Sequence, residues 1–174
     1  MGPGQKLRLL FAACSMAAIA LVAREGWVTR SYPDPVHGNR VPTACAGVTE
    51  GIKPGQVFTE QECIERTALA MVKHAGPILR CVPDTMDMRY AGYLSEQVDI
   101  AYNIGVGNYL GIGKSRPSGM CRHMKAGDYR ASCEAILAFK YAGGKDCSLK
   151  ESKCPGVWNR RLEQRANCLK ALPK

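Results

Sequence analysis

The sequence predicts an α+β fold in which an apolar N-terminal helix precedes a small β-rich lobe and then a mainly helical lobe. Three observations predict it. Residues 9–23 are an uncharged apolar run, Glu25 to Thr49 is crowded with Pro, Gly and β-branched residues, and most of the chain beyond Thr49 has helical spacing. A length of 174 residues suits a single folded body with one appendage. The expected division is residues 1–24 as the apolar helix and 25–174 as the body.

The first element reads LLFAACSMAAIALVA, preceded by Lys6 and Arg8 and followed by Arg24, which is the layout of an export signal. Fifteen helical residues span about 22 Å at 1.5 Å each, against a hydrocarbon core of roughly 30 Å. Six of the fifteen are Ala, so the run is a weak permanent anchor. A cleavable signal peptide is the alternative, with Ala18-Ile19-Ala20 or Leu21-Val22-Ala23 before the cut. Cutting after Ala23 leaves Glu25 second in the mature chain, where a fraying terminus holds a carboxylate poorly.

Next come short strands and turns, marked by Pro33-Asp34-Pro35 and Gly38-Asn39. Thr59 with Glu62 three residues on is a capping-box signature for a helix running through Lys73. A second helix spans Ser95 to about Asn103 and ends at Gly105 and Gly107. Further helices are expected over Met120–Met124, Tyr129–Tyr141 and Val157–Leu172, broken by Gly127-Asp128 and by the stretch from Gly143 to Pro155.

Composition narrows the function. Apolar residues make up 46% and charged residues 22%, a globular balance, and the formal charge of +9 favours polyanionic partners. The Lys and Arg residues are not interleaved with aromatics in one stripe and no nucleic-acid motif occurs, so no nucleic-acid partner is expected. Nine cysteines, Cys14, Cys45, Cys63, Cys81, Cys121, Cys133, Cys147, Cys154 and Cys168, point to an oxidising compartment with at least one left unpaired. No CxxC or HExxH spacing supports zinc, and neither metal nor cofactor is expected. Cys147 with Cys154 closes a short loop and Cys121 with Cys133 ties two neighbouring helices in the expected pairing. Cys63, Cys81 and Cys168 stay unassigned.

Three residues carry candidate chemistry. Glu25 ends the apolar helix before Gly26 and Trp27, so the negative end of the helix dipole and a nearby indole both oppose its ionisation. A carboxyl kept protonated suits a general acid, although a Glu-Gly helix stop explains the same residues. Asp34 lies between two prolines with fixed φ, which holds a carboxylate firmly, as an ordinary turn aspartate also does. Thr43, in Val41-Pro42-Thr43-Ala44, carries a hydroxyl that can hold a water or simply pack.

With EGWVTRSYPD, VPTACAGVTEG, FTEQECIE, YLSEQVDIAYNIGVGNY, MKAGDYRASCEAILAFKYAGGK and PGVWNRRLEQRANCL in that order, the chain resembles the phage lysozymes of glycoside hydrolase family 24, the T4-type family. The resemblance covers nearly all of residues 25–170. It implies a lysozyme-like fold, with residues 25–174 as the catalytic domain. It also implies hydrolysis of the β-1,4 bonds between N-acetylmuramic acid and N-acetylglucosamine in peptidoglycan. Glu25 becomes the acid, with Asp34 and Thr43 positioning the attacking water. Glu25 and Asp34 match the family spacing, whereas Thr43 comes three residues late, with His37-Gly38-Asn39 as the insertion. Gly47, the Asn103–Gly107 turn and Arg160-Arg161 match family positions and read as architecture, Arg161 being paired with Glu163.

The cysteine-rich chain also resembles signal-anchor-release endolysins, which are exported as inactive tethered forms and escape when the membrane loses its potential. That implies transient contact of residues 9–23 with the host inner membrane, then the periplasm, and action as a monomer. Cys14 and Cys45 become regulatory thiols, with freed Cys14 pairing with Cys45; otherwise Cys14 is a small apolar residue in an apolar helix. A lytic transglycosylase, which needs no water-orienting carboxylate, and a catalytically silent envelope-glycan-binding protein are the remaining alternatives.

Overall fold

The computed structural model describes residues 1–25, 28–34, 40–113 and 117–174, without the side chains of Arg24 and Glu25. The expected insertion, His37 to Asn39, lies outside the described residues.

Helix α1 spans Pro3–Glu25. It starts six residues before the apolar run because Pro3 suits the first helical turn, where its missing N–H costs nothing, and Gln5 accepts a hydrogen bond from the Gly2 N–H. The length expected from sequence is therefore revised. Pro3–Ala23 has 21 residues, about 32 Å of helix, which is long and apolar enough to cross a membrane by length and composition.

In this structure α1 is packed into the protein. Leu9, Leu10, Ala13, Cys14, Ala17, Ala18, Leu21 and Val22 are buried in the main hydrophobic cluster. Their spacing defines one face of a 3.6-residue helix. That face meets α2 (Glu60–Ala75) and α3 (Ala91–Ile104). Leu7, Phe11, Met16 and Ile19 are exposed on the rest of the circumference. The polar start of α1 is clasped as well: the Lys6 Nζ donates to the Val82 carbonyl at 2.9 Å and pairs with Asp84 at 2.8 Å.

The β lobe is minimal. Strands β1 (Tyr32–Pro33) and β2 (Pro42–Thr43) pair antiparallel, Tyr32 opposite Thr43 and Pro33 opposite Pro42. A tight turn comes next, in which Ala44 and Val48 exchange two backbone hydrogen bonds. Helix α2 carries the expected capping box: the Thr59 hydroxyl accepts from the Glu62 N–H while the Glu62 carboxylate accepts from the Thr59 N–H at 2.7 Å.

Helices α4 (Val106–Leu110), α5 (Gly119–Lys125), α6 (Tyr129–Glu134) and α7 (Pro155–Lys170) complete the helical lobe. The helix expected over Tyr129–Tyr141 is shorter. After Glu134 it tightens into a 3₁₀ turn through Ala138, and Tyr141–Ala142 forms strand β3. The cause is Gly143-Gly144, both at positive φ, which turn the chain so that β3 pairs with β4 (Lys145–Asp146).

Four disulfides join Cys45 to Cys63, Cys81 to Cys121, Cys133 to Cys168 and Cys147 to Cys154. The expected pair Cys121–Cys133 is thus corrected. Both residues are buried in the main core, and each meets a cysteine from a distant segment: Cys121 meets Cys81, which follows the 3₁₀ turn Gly76–Arg80, and Cys133 of α6 meets Cys168 of α7, which packs against α6. Cys14 is unpaired and buried. It is not joined to Cys45, because Cys45 packs with Cys63, Ile52 and Phe58 in a second, smaller cluster.

Candidate active site

The three candidate residues fall on two elements. Glu25 is the last residue of α1, so burial of Leu21 and Val22 just before it fixes where the helix delivers its C-terminal end. Asp34 and Thr43 belong to the ribbon. The Asp34 N–H donates to the Val41 carbonyl at 3.0 Å, which extends the β1–β2 pairing by one residue. Tyr32 faces Thr43 directly across the ladder. Residues i and i+2 of a strand share a face, as do directly opposed residues, so Asp34 and Thr43 lie diagonally on one face of the ribbon. Thr43 is only 1% exposed, and its hydroxyl donates to the Val41 carbonyl at 3.4 Å.

The ribbon is anchored from behind. Cys45 has φ of 56°, a left-handed conformation unfavourable for a residue with a Cβ. It is held there by its bond to Cys63 on α2 and by its N–H donating to the Val28 carbonyl at 2.8 Å. The end of α3 reaches the same turn, the Tyr102 hydroxyl lying 3.5 Å from the Ala46 carbonyl.

Beyond Tyr102, Asn103 lines a cavity of about 740 Å³, whose walls include Ser118 and Arg122 of α5 and its cap, Phe139, and Tyr141 and Ala142 of β3. Sequence reasoning did not find this cavity. It also paired Arg161 with Glu163, whereas Glu163 is exposed and Arg161 is buried. The Arg161 guanidinium donates to the Phe139 carbonyl, to Gln164 and to Asn103, and the Gln164 amide donates to buried Asp99 at 2.8 Å. Burial is the first cause that pulls Arg161 below its usual pKa, as removal from water penalises the cation. The signal for this network was present in the spacing: Asp99 and Asn103 are i, i+4 on α3, and Arg161 and Gln164 are i, i+3 on α7.

Two other buried polar links stiffen the same lobe. The Tyr93 hydroxyl donates to the Ser132 hydroxyl, which donates to the Met120 carbonyl, and the Tyr109 hydroxyl donates to the Gln97 side chain at 2.7 Å. Among the described residues no cluster of His, Cys, Asp and Glu has the makings of a metal site.

Comparison with known proteins places this architecture. The P22 lysozyme, seen in the crystal structure of a mutant, superposes with a TM-score of 0.66 at 22% identity over 88% of this chain and 95% of its own. The active form of the P1 phage endolysin Lyz superposes with a TM-score of 0.63 at 20% identity, covering 88% of this chain and 83% of its own. A SAR-endolysin of bacteriophage PS119 is 30% identical over 150 residues, which is 83% of this chain and 76% of that protein. The family model described as phage lysozyme matches residues 22–164, so the segment from the end of α1 to most of α7 belongs to one pattern and the chain is a member of the phage lysozyme family.

Proposed function

We propose that the chain is an N-acetylmuramidase of the T4-type, glycoside hydrolase family 24, with Glu25 as general acid and with Asp34 and Thr43 orienting the attacking water. Family membership gives it lysozyme function in cell-wall lysis. What supports the assignment of residues is one arrangement: α1 ends at Glu25, and the ribbon beyond it presents Asp34 and Thr43 on a common face. The C-terminal end of a helix carries partial negative charge, which disfavours a carboxylate and keeps an acid protonated for transfer to the glycosidic oxygen. A carboxylate roughly 6.5–9.5 Å from that acid leaves room for a water and gives inversion at the anomeric carbon.

The test is hydrolysis of purified peptidoglycan by the wild type and by Glu25→Gln, with the new ends analysed by mass spectrometry. Hydrated muramic ends that disappear in the variant are expected. Activity retained by Glu25→Gln removes the mechanism, and anhydro ends assign a lytic transglycosylase instead.

The second part of the reading concerns α1. Its composition suits a membrane span while one face is buried against α2 and α3, which supports two alternative seats for one helix, residues 1–24 acting as a detachable anchor. Tethered in the inner membrane, the chain holds Glu25 at the bilayer surface and away from Asp34; released to the periplasm, it seats α1 against α2 and α3. Fractionation of expressing cells before and after an uncoupler tests this, the protein moving from the membrane to the soluble fraction without shortening.

A further inference from the structure

Residues 9–23 carry no charge, so the outer side of seated α1 presents none to water from Leu9 to Ala23. A helix with one face in the core ordinarily turns charged side chains outward, as α2 does with Glu60, Glu62, Glu65 and Lys73. On α1 that place is taken by Leu7, Phe11, Met16 and Ile19, each about half exposed. Leu7, Phe11, Ser15 and Ile19 follow at steps of four and form one ridge, with Met16 beside it. Single apolar side chains on a surface need no explanation, whereas a row of them along one helix does.

The polar member of the ridge is already satisfied. The Ser15 hydroxyl donates to the Phe11 carbonyl, one turn back, at 3.0 Å. A hydroxyl bonded within its own helix is cheaply removed from water.

Cations flank the row. Arg8 is exposed, makes no ion pair among the described residues, and lines a groove together with exposed Met88. The acids of that groove are answered: Asp84 pairs with Lys6 and Asp87 with Arg89, each at 2.8 Å. The C-terminal tail runs close to Met16, since a Cβ on Gly92 would lie 3.6 Å from the Ala171 Cβ and 3.9 Å from the Met16 Cε. Lys170 and Lys174 of that tail are both exposed.

An apolar row with cations beside it suits the boundary between anionic headgroups and acyl chains, where a helix lies in the plane with one face immersed. A second copy of this chain suits it less, because it sets Arg8 and the tail lysines against another net charge of +9.

We propose that the outer face of seated α1 is a surface for binding anionic phospholipid bilayers, with Leu7, Phe11, Met16 and Ile19 immersed and Arg8, Lys170 and Lys174 at the headgroups. The proposal rests on the release reading for its place in the cell and adds a second mode of membrane contact. The anchor spans with its whole circumference in lipid; the folded enzyme lies on the surface with its other face still docked on α2 and α3. Release then ends the span without ending contact with the bilayer.

The experiment floats the purified full chain with vesicles of phosphatidylethanolamine and phosphatidylglycerol, or of phosphatidylcholine alone, and assays murein hydrolysis by the bound fraction. The expected result is binding to the anionic vesicles, weakened by salt, with activity per molecule equal to that of the free protein. Phe11→Ser with Ile19→Ser lowers the partition coefficient at least about 10-fold, through two side chains no longer immersed. Val57→Ser, which removes an exposed apolar side chain away from α1, leaves it unchanged. Arg8→Gln with Lys174→Gln lowers it about 5–25-fold on anionic vesicles. Melting curves close to that of the wild type establish that each variant is folded. Absence of vesicle binding, or equal losses from the α1 pair and from Val57→Ser, overturns the surface. So does a lipid-free dimer that the α1 pair converts to monomer, because a second copy then covers the row. Bound protein without murein activity, beside active free protein, means that α1 has left its seat, which overturns the in-plane mode. Protein that high salt fails to wash from cell membranes after an uncoupler overturns the release reading, and a wild type inactive when free overturns the lysozyme reading; vesicle binding stands apart from both.

Discussion

The Asp34 backbone is fixed on both sides: its N–H is tied to Val41 and Pro33 fixes the φ angle before it. Asp34→Ala is expected to leave the chain folded while muramidase activity falls at least about 100-fold, the size usual for losing a group that activates water. Circular dichroism and a murein turbidity assay separate the two effects. Cys14 behaves oppositely. Burial alone pushes its thiol up to about 12, so the seated helix carries a neutral, unreactive sulfur at physiological pH. In the unfolded chain the thiol ionises near 9, so its contribution to stability is complete below that pH and is lost as pH rises from about 9 to about 12. At pH 8 the native protein is expected to resist a thiol reagent and to react with one equivalent once unfolded without reductant; rapid labelling of the native state contradicts the seated helix.

Candidate residues were legible in the sequence because Glu25, Asp34 and Thr43 lie close together along the chain. The Arg161 network and the cavity were not, because they join α3 to α7 across more than fifty residues. Nothing in the local sequence of Asn103 announces a partner on the last helix.

At the scale of elements, the capping box of α2 was readable because cap chemistry is local: Thr59 and Glu62 meet whatever the rest of the chain does. Thr59→Ala is expected to cost about 1 kcal/mol and to lower the melting temperature by about 2–4 °C. The β3–β4 hairpin was missed because an apolar, helix-like run continued into Tyr141, and the turn at Gly143-Gly144 overrode it. The placement of α1 separates two kinds of substitution. Leu10 is fully buried and Leu7 is 54% exposed on the same helix. Leu10→Ala is expected to destabilise the soluble form by about 2–5 kcal/mol and Leu7→Ala by less than about 1 kcal/mol, in denaturant titrations. Equal effects contradict the docking of α1 against α2 and α3.

At the scale of the molecule, the disulfides divide the work. Cys133–Cys168 spans 35 residues and Cys81–Cys121 spans 40, each closing a large loop of the helical lobe. Replacing Cys133 and Cys168 together by Ser is expected to cost about 2–5 kcal/mol. The loss appears as an earlier thermal transition. Sequence indicated that bridges exist and that one thiol is spare, but connectivity is a property of the folded whole.

All four bridges close between residues 45 and 168, so α1 is held to its neighbours by packing and by the Lys6 clasp, with no covalent bond. Its attachment is therefore reversible in principle, governed by an association constant rather than by redox state. Burying Leu9, Leu10, Leu21 and Val22 is worth roughly 1.5–3 kcal/mol each, a sum comparable with the net stability of an ordinary domain. A helix so attached is a cartridge: firm once inserted, yet removable without chemistry, in a casing whose seams are already sealed.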